Sequence, residues 1–376
     1  MSETIAPLAA PTSVDIRAIE RELTVLWQQA NENHPDAVTR VCVLNLVAVA
    51  RSGRAAEAVT ETIARLNARH PNRAILVSAL PEQAGAPGLE AWVQAHCRLP
   101  APGRPQVCCE QITITARGAA AGQAAGVVLP LLVPDVPVML WWPRGEPFDD
   151  PLFDRVAALA DRIIVDSASF DDGETGLGRT AQAFGRGLPV SDMAWGRLTP
   201  WRELTAQFFD APALLPHLAE IETLVVEVET GAEGPLDRTP ALLMVGWLAS
   251  RLGWQPADST ALGRDQLAFE LRRADGTPVA VELRPAPPRE DLLDRLASLT
   301  LRCAHGSFSI TRNDQPETAL ARADVEGMAP LERVVRLERQ REDDLLAEEL
   351  RLLGHDHGYE GALRMASRLL GAPAGS

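Results

Sequence analysis

Leu131-Leu132-Val133-Pro134-Asp135-Val136-Pro137-Val138-Met139-Leu140-Trp141-Trp142-Pro143 is the stretch whose reading decides the fold. It is an apolar run of strand length, bounded by prolines and broken by Arg144-Gly145-Glu146-Pro147. Two adjacent tryptophans on a strand point to opposite faces. One of the pair is therefore expected inside the fold, and the other, with Arg144, is a candidate for touching a partner. In open α/β sheets the carboxyl end of such a strand is where ligands and partners gather. The run holds no nucleophile, base or metal ligand, which points to binding rather than catalysis.

Outward from this strand the text alternates between helices and buried strands. Ile16, Ile19, Leu23, Leu26, Trp27 and Ala30 recur at helical spacing after Thr12 or Ser13, a possible cap, and Pro35 ends the helix. Val41 to Val49 and Ala74 to Leu80 are nearly all apolar, as strands of a parallel sheet are, with a helix of Val59, Ile63 and Leu66 between them. Leu89 to Leu99 alternates strictly, and Val107 to Thr115 returns after a turn at Pro100 to Pro105, giving a β-hairpin. A helix over Ala120 to Leu132 precedes the quoted strand, and a helix over Leu152 to Ala160 precedes the strand Arg162 to Asp166. The alternation predicts a Rossmann-like α/β domain with a mostly parallel sheet and an added hairpin, over residues 1–215. It includes a helical connector from about Asp192, where Thr199-Pro200 is a helix start.

Residues 216–376 read as an α+β domain. It has a strand at Glu222 to Glu229, an apolar helix at Pro240 to Leu252 and strands at Gln266 to Arg272, Val279 to Leu283, Leu296 to Cys303 and Ser307 to Thr311. Asp275-Gly276 marks a hairpin turn. The tail from about Leu331 to Leu370 reads as two charged amphipathic helices split at Gly354.

The chain has 376 residues, enough for two domains, and a net charge of −15. Such an acidic surface disfavours nucleic acid and anionic membranes. All 36 basic residues are arginine. There is no apolar run long enough for a membrane span and no basic-then-apolar leader, so a cytoplasmic location is expected. Of the five cysteines, Cys42, Cys97, Cys108, Cys109 and Cys303, none forms a CxxC, and reduced buried thiols are expected.

Several constellations invite chemistry. Gly118, Gly122 and Gly126 lack the spacing of a phosphate loop and suit close helix packing better. His355-Asp356-His357 lacks a third ligand nearby, so exposed histidines are expected there. Asp166-Ser167, at a strand end, can orient a ligand hydroxyl or cap a turn; no GxSxG elbow surrounds the serine. Glu110 shares the parity of Ile112 and Ile114 and calls for an arginine partner. No catalytic, cofactor-binding or metal-binding residues are assigned. The eight tryptophans against one tyrosine stand out. Trp142 with Arg144, Trp195 with Arg197, and Trp201 with Arg202 are the residue types that interfaces enrich, and these six are the candidate partner-binding residues.

Taken together, these segments resemble the glucose-6-phosphate dehydrogenase assembly protein family, OpcA. The resemblance rests on Val41 to Asn45, Cys109-Glu110-Gln111-Ile112, Val133 to Trp142, Ala160 to Ser167, Asp192-Met193-Ala194-Trp195-Gly196-Arg197-Leu198-Thr199-Pro200-Trp201-Arg202, Gly246-Trp247-Leu248, Leu252-Gly253-Trp254 and Gly354-His355-Asp356. It implies a non-catalytic protein without a cofactor, which binds glucose-6-phosphate dehydrogenase in a hetero-oligomer. Such a protein promotes the enzyme's active oligomer and activates it allosterically in the oxidative pentose phosphate pathway. Redox control, associated with family members from photosynthetic bacteria, finds no cysteine after Cys303 here, and Cys108 and Cys109 point to opposite faces of a strand. A sugar-phosphate- or nucleotide-binding α/β enzyme or sensor, with arginines gripping phosphate, is the competing expectation.

Overall fold

Val138–Trp142 forms an inner strand of a ten-stranded sheet. The chain enters it through a turn in which Asp135 adopts φ +60°, a left-handed conformation that aspartate tolerates because its short side chain can bond locally. The computed structural model describes residues 2–5, 12–13, 16–33, 38–67, 69–80, 88–98, 106–230, 236–257, 261–263, 266–289, 295–315, 317–352 and 354–371.

In chain order the elements begin with β1 (Ser2–Ile5), β2 (Thr12–Ser13), α1 (Ile16–Asn33), β3 (Val38–Arg40), β4 (Leu44–Ala50), α2 (Gly53–Leu66) and β5 (Asn72–Leu80). They continue with β6 (Gly88–Arg98), β7 (Gln106–Arg117), α3 (Ala124–Val128), β8 (Val138–Trp142), α4 (Pro151–Ala157), β9 (Arg162–Val165), α5 (Gly173–Gly185) and β10 (Val190–Asp192). Next come α6 (Met193–Arg197), α7 (Thr199–Gln207), β11 (Ile221–Glu229), α8 (Thr239–Leu252), β12 (Gln255–Pro256), β13 (Ala268–Arg272) and β14 (Pro278–Ala286). The last are β15 (Leu296–Cys303), β16 (Gly306–Arg312), β17 (Thr318–Val325), β18 (Leu331–Arg336), α9 (Glu342–Glu349) and α10 (His357–Leu369).

The chain divides into two compact units, residues 1–166, 188–191 and 341–353 in the first and the remainder in the second. The connector from Asp192 thus belongs with the second unit, and α9 returns to the first, whereas the sequence reading divides the chain once, near residue 215.

The first unit holds the strand order β1-β6-β7-β5-β4-β8-β9-β10, with β5 parallel to β4 and β7, and β8 parallel to β4 and β9. From β7 onward this is the doubly wound Rossmann order. Every residue of β4 is buried, as expected of a strand covered on both faces. The hairpin β6–β7 is antiparallel from Gly88 opposite Arg117 to Arg98 opposite Val107; the turn expected at Pro100 to Pro105 lies outside the described residues. Thr12 and Ser13 pair with β6. The expected helix over Ala120 to Leu132 is instead a 3-10 turn, the five-residue α3 and a second 3-10 turn; Pro130, which cannot donate within a helix, accounts for the end of α3.

Cys97 and Cys108 sit directly opposite each other on β6 and β7 and are joined as a disulfide, which corrects the expectation of reduced thiols. Both are buried beside Leu26 and Trp27. Cys109 is the next residue and its side chain points the other way; burial pushes its thiol up to about 11, so it remains a neutral, unreactive group. On the same hairpin His96 is buried, its Nε2 donating to Gln111 Oε1 at 2.8 Å, and burial lowers its pKa. The folded state then binds fewer protons than the unfolded chain, so stability should fall as pH drops through about 6.5. Urea midpoints at pH 7.5 and 5.5 should differ less for His96→Gln than for the parent.

The second unit is an eight-stranded sheet in the order β12-β13-β14-β11-β15-β16-β17-β18, with α8 and α10 in its core. α8 is apolar on nearly every side and buried from Thr239 to Gly246, as a helix packed on all faces must be. Gly246 admits α10 closely, for a Cβ there would lie 2.4 Å from the Ala362 carbonyl oxygen. Gly246→Ala should therefore cost about 1–3 kcal/mol through overpacking, read as a lower thermal midpoint. The tail does not begin as a helix. Leu331–Arg336 pairs with β17 as the edge strand, and the two tail helices start at Glu342 and His357.

Candidate functional site

In the first unit β4 and β8 meet where the strand order reverses. The turn after β4 is Arg51-Ser52, and the Ser52 hydroxyl caps α2 by accepting from Ala55 N at 3.1 Å. The Arg51 guanidinium lies over the Trp142 ring, 5.2 Å from its centroid, and pairs with Asp150. Asp150 in turn caps α4, accepting from Leu152 N at 2.8 Å. Trp142 packs edge-on against Phe153 of α4 at 5.8 Å. Arg144 Nη1 donates to the Pro143 carbonyl and to Glu342 Oε1, both at 2.7 Å, and stands 3.9 Å from the Asp166 carboxylate. Glu342, Asp343 and Asp344 form the first turn of α9, where carboxylates favour the helix dipole. They reach Thr62, Arg65 and Arg69 of the α2 region at 3.2, 3.1 and 2.5 Å.

A sheet of this order is the frame in which dinucleotides bind. The turn here offers Arg51-Ser52-Gly53 in place of a Gly-x-Gly-x-x-Gly loop, and Arg51, Trp142 and Asp150 hold one another across that place. These residues do not fit a dinucleotide.

In the second unit the Asp192-to-Arg202 segment is consumed by its own neighbours. Asp192 caps α6 through Ala194 N at 2.9 Å and accepts from Ser167 Oγ at 2.6 Å. Ser167 is thus bound to a carboxylate without a base between, which is a long-range structural bond rather than a triad. Trp195 Nε1 donates to Asp356 Oδ2 at 2.9 Å, and Asp356 also caps α10. The Arg202 guanidinium stacks on Trp195, 3.4 Å from the centroid, and donates to the Trp195 carbonyl at 2.6 Å. Arg312 lies over Trp201 at 5.4 Å.

The six candidate residues therefore fall in two places, Trp142 and Arg144 in the first unit and Trp195, Arg197, Trp201 and Arg202 in the second. Trp142, Trp195, Arg197 and Trp201 are buried. Arg202 is half-buried, and Arg144, with 56% of its side chain exposed, is the outward member of the six. Both Trp141 and Trp142 lie inside, so the paired tryptophans present no aromatic surface. The tryptophans do stack with arginines, but with Arg51, Arg202 and Arg312 rather than with the arginines nearest in sequence. Sequence reasoning missed Arg51, Asp150 and Glu342. Asp150-Pro151, a cap followed by proline at the first helical position, and Arg51-Ser52 between a strand and a helix were the available signals.

The other constellations resolve structurally. Glu110 has its arginine partner in Arg73 and also accepts from Trp27 Nε1 at 2.9 Å. His355 and His357 are exposed and reach Glu360 at 2.7 and 3.6 Å. A Cβ on Gly122 or Gly126 would meet nothing within 4 Å, so close helix packing does not explain these glycines.

The fold and this arrangement define a two-unit α/β and α+β protein with a Rossmann-type sheet at whose switch point Arg51 contacts both Trp142 and Asp150. Residues 63–182 match the model of the glucose-6-phosphate dehydrogenase subunit N-terminal domain, and residues 188–363 match that of its C-terminal domain. The chain belongs to this family, OpcA. It is 29% identical over 314 residues to the OxPP cycle protein OpcA of Nostoc punctiforme, covering 80% of this chain and 65% of that one. It is 33% identical over 199 residues to the namesake from Synechocystis, covering 53% and 40%. The chain thus spans less than two thirds of the length of these curated relatives. Among solved structures, an aldose-aldose oxidoreductase from Caulobacter crescentus is similar at 12% identity and TM-score 0.43, over 86% of this chain and 95% of that one. An oxidoreductase from Agrobacterium radiobacter is similar at 9% and 0.44, over 87% and 94%.

Proposed function

We propose that this chain is a non-catalytic accessory subunit that binds glucose-6-phosphate dehydrogenase, promotes its active oligomer and activates it in the cytoplasm. The observation that carries this reading is the match of both halves of the chain to domains described as subunits of that dehydrogenase. The contacts at the switch point support it, because Arg51 engages both Trp142 and Asp150 where a Rossmann enzyme would hold its cofactor. Among the described residues no helix is long and apolar enough to cross a membrane, in keeping with an aqueous partner.

An activator works by binding the enzyme's active state more tightly than its inactive one. A tenfold activation needs about 1.4 kcal/mol of difference. Of the six sequence candidates, Arg144 is placed to contribute. Its pairing with Glu342 is exposed, and such pairs stabilise a fold by about 0–1 kcal/mol. Arg144→Ala should therefore leave the chain folded while lowering affinity for the dehydrogenase about tenfold. Unchanged affinity of the folded variant in a calorimetric titration would remove Arg144 from the contact surface. A thermal shift of this chain alone by glucose 6-phosphate or NADP would instead favour the ligand-binding enzyme or sensor.

A further inference from the structure

In the second unit, a 3-10 turn at Leu215–Glu220 sets His217 and Glu220 three residues apart. Ile221 follows and pairs with Cys303 at the end of β15. Three donor atoms are thereby gathered from distant parts of the chain. His217 Nδ1 lies 3.2 Å from Glu220 Oε2 and 3.8 Å from Cys303 Sγ, and all three atoms fall within 4.8 Å of one another. We propose that His217, Glu220 and Cys303 bind a divalent cation of the zinc class.

The spacing suits the ion. Bonds of about 2.0–2.3 Å in a tetrahedron place ligand atoms roughly 3.3–3.8 Å apart, so both separations to Nδ1 already approximate two edges of such a site. The mixed nitrogen, sulfur and oxygen set favours zinc over magnesium or calcium, which take oxygen alone. The charge also balances, because one thiolate and one carboxylate neutralise a dication. The thiol must give its proton to solvent when the metal arrives. Cys303 Sγ lies 3.4 Å from the Gly306 carbonyl oxygen, which accepts that proton's hydrogen bond in the absence of an ion.

A catalytic dyad or triad would have the same residue types but a different geometry. In a relay the imidazole turns one nitrogen to the nucleophile and the other to the carboxylate. Here the thiol and the carboxylate both face Nδ1, which is convergence on a point rather than a chain of proton transfer.

The surroundings fit three protein ligands with a fourth position for water. Cys303 is buried, whereas 17% of the His217 side chain and 49% of that of Glu220 are exposed, so the cluster opens to solvent on one side. The Phe308 ring lies 6.2 Å from His217 and packs at a tilt against Phe209 at 4.8 Å, giving the imidazole an apolar neighbour.

The test is a cobalt(II) titration of the chelator-stripped full chain, followed by displacement with zinc. The expected result is one equivalent bound, with a thiolate-to-cobalt charge-transfer band that zinc removes. Cys303→Ser should abolish that band, His217→Gln should weaken binding at least about tenfold, and Cys42→Ser should change nothing. Glu220→Gln alters a half-exposed side chain and so keeps the test alive if the other variants fail to fold; it too should weaken binding at least about tenfold. Absence of the band in the folded parent, or parental affinity in folded His217→Gln or Glu220→Gln, would overturn the proposal.

Discussion

Glu110→Ala should cost the first unit about 3–5 kcal/mol, because it leaves a buried arginine without its principal counter-charge. Arg73 and Glu110 are 5% and 2% exposed, side by side on β5 and β7. Arg73 would keep the Leu131 carbonyl at 2.8 Å and the half-exposed Glu20 at 3.1 Å, neither of which replaces a buried carboxylate. Trp27 would also lose the acceptor for its indole N–H. Removing the second charge as well should restore part of the loss, since two apolar groups bury more cheaply than one orphaned ion. Urea unfolding of Glu110→Ala, Arg73→Met and the double variant measures this coupling. A double variant as unstable as the sum of the two singles would show that the pair does not act together.

Glu174→Ala should cost the second unit a similar amount, about 3–5 kcal/mol, and more than Arg238→Met. Arg238 is 0% exposed and donates from Nε and Nη2 to the two oxygens of Glu174, each at 2.6 Å. Its Nη1 donates to the Gly263 and Gln266 carbonyls at 3.0 and 2.6 Å. The two partners differ in their access to water, since Glu174 keeps 20% of its side chain exposed. Deleting the carboxylate strands a guanidinium where water does not reach, whereas deleting the arginine leaves a carboxylate that water can partly solvate. Thermal midpoints in the order parent, Arg238→Met, Glu174→Ala are therefore expected; the reverse order of the two variants would contradict this account of the site.

The parallel core was legible because strands buried on both faces write long apolar runs. β4, β5, β8 and β9 announce themselves in this way, and β6 does so by alternation. The segments that escaped have weaker patterns. α5 carries Gly173, Gly176, Gly178 and Gly185, and glycine lowers helix propensity. On β17 the inward residues are Ala319, Ala321, Ala323 and Val325, and alanine is a poor strand former whose burial is easily overlooked. β18, Leu-Glu-Arg-Val-Val-Arg, has the charge mixture of a solvated helix, but five of its six residues are exposed because it is an edge strand. Charged edges of this kind discourage further strand addition.

The candidate site was only half legible for a different reason. Tryptophan and arginine are enriched in interfaces and are also the residues that brace a core through stacking and long-range hydrogen bonds. Sequence adjacency cannot choose between these uses. Trp195 illustrates it, since its partners are Arg202, seven residues on, and Asp356, on a helix near the end of the chain. The Asp192-to-Arg202 segment is thus occupied in building the second unit, and the proposed contact with a partner rests on exposed groups such as Arg144.

The central claim is that this chain acts on another enzyme rather than on a substrate of its own. The most direct test is to mix the purified chain with glucose-6-phosphate dehydrogenase from the same cell, resolve the mixture by size, and assay the eluted enzyme at subsaturating glucose 6-phosphate. The account predicts a co-eluting complex of higher order than the free dehydrogenase, with faster NADPH formation than the enzyme alone. A folded chain that elutes separately and leaves the rate unchanged would contradict it.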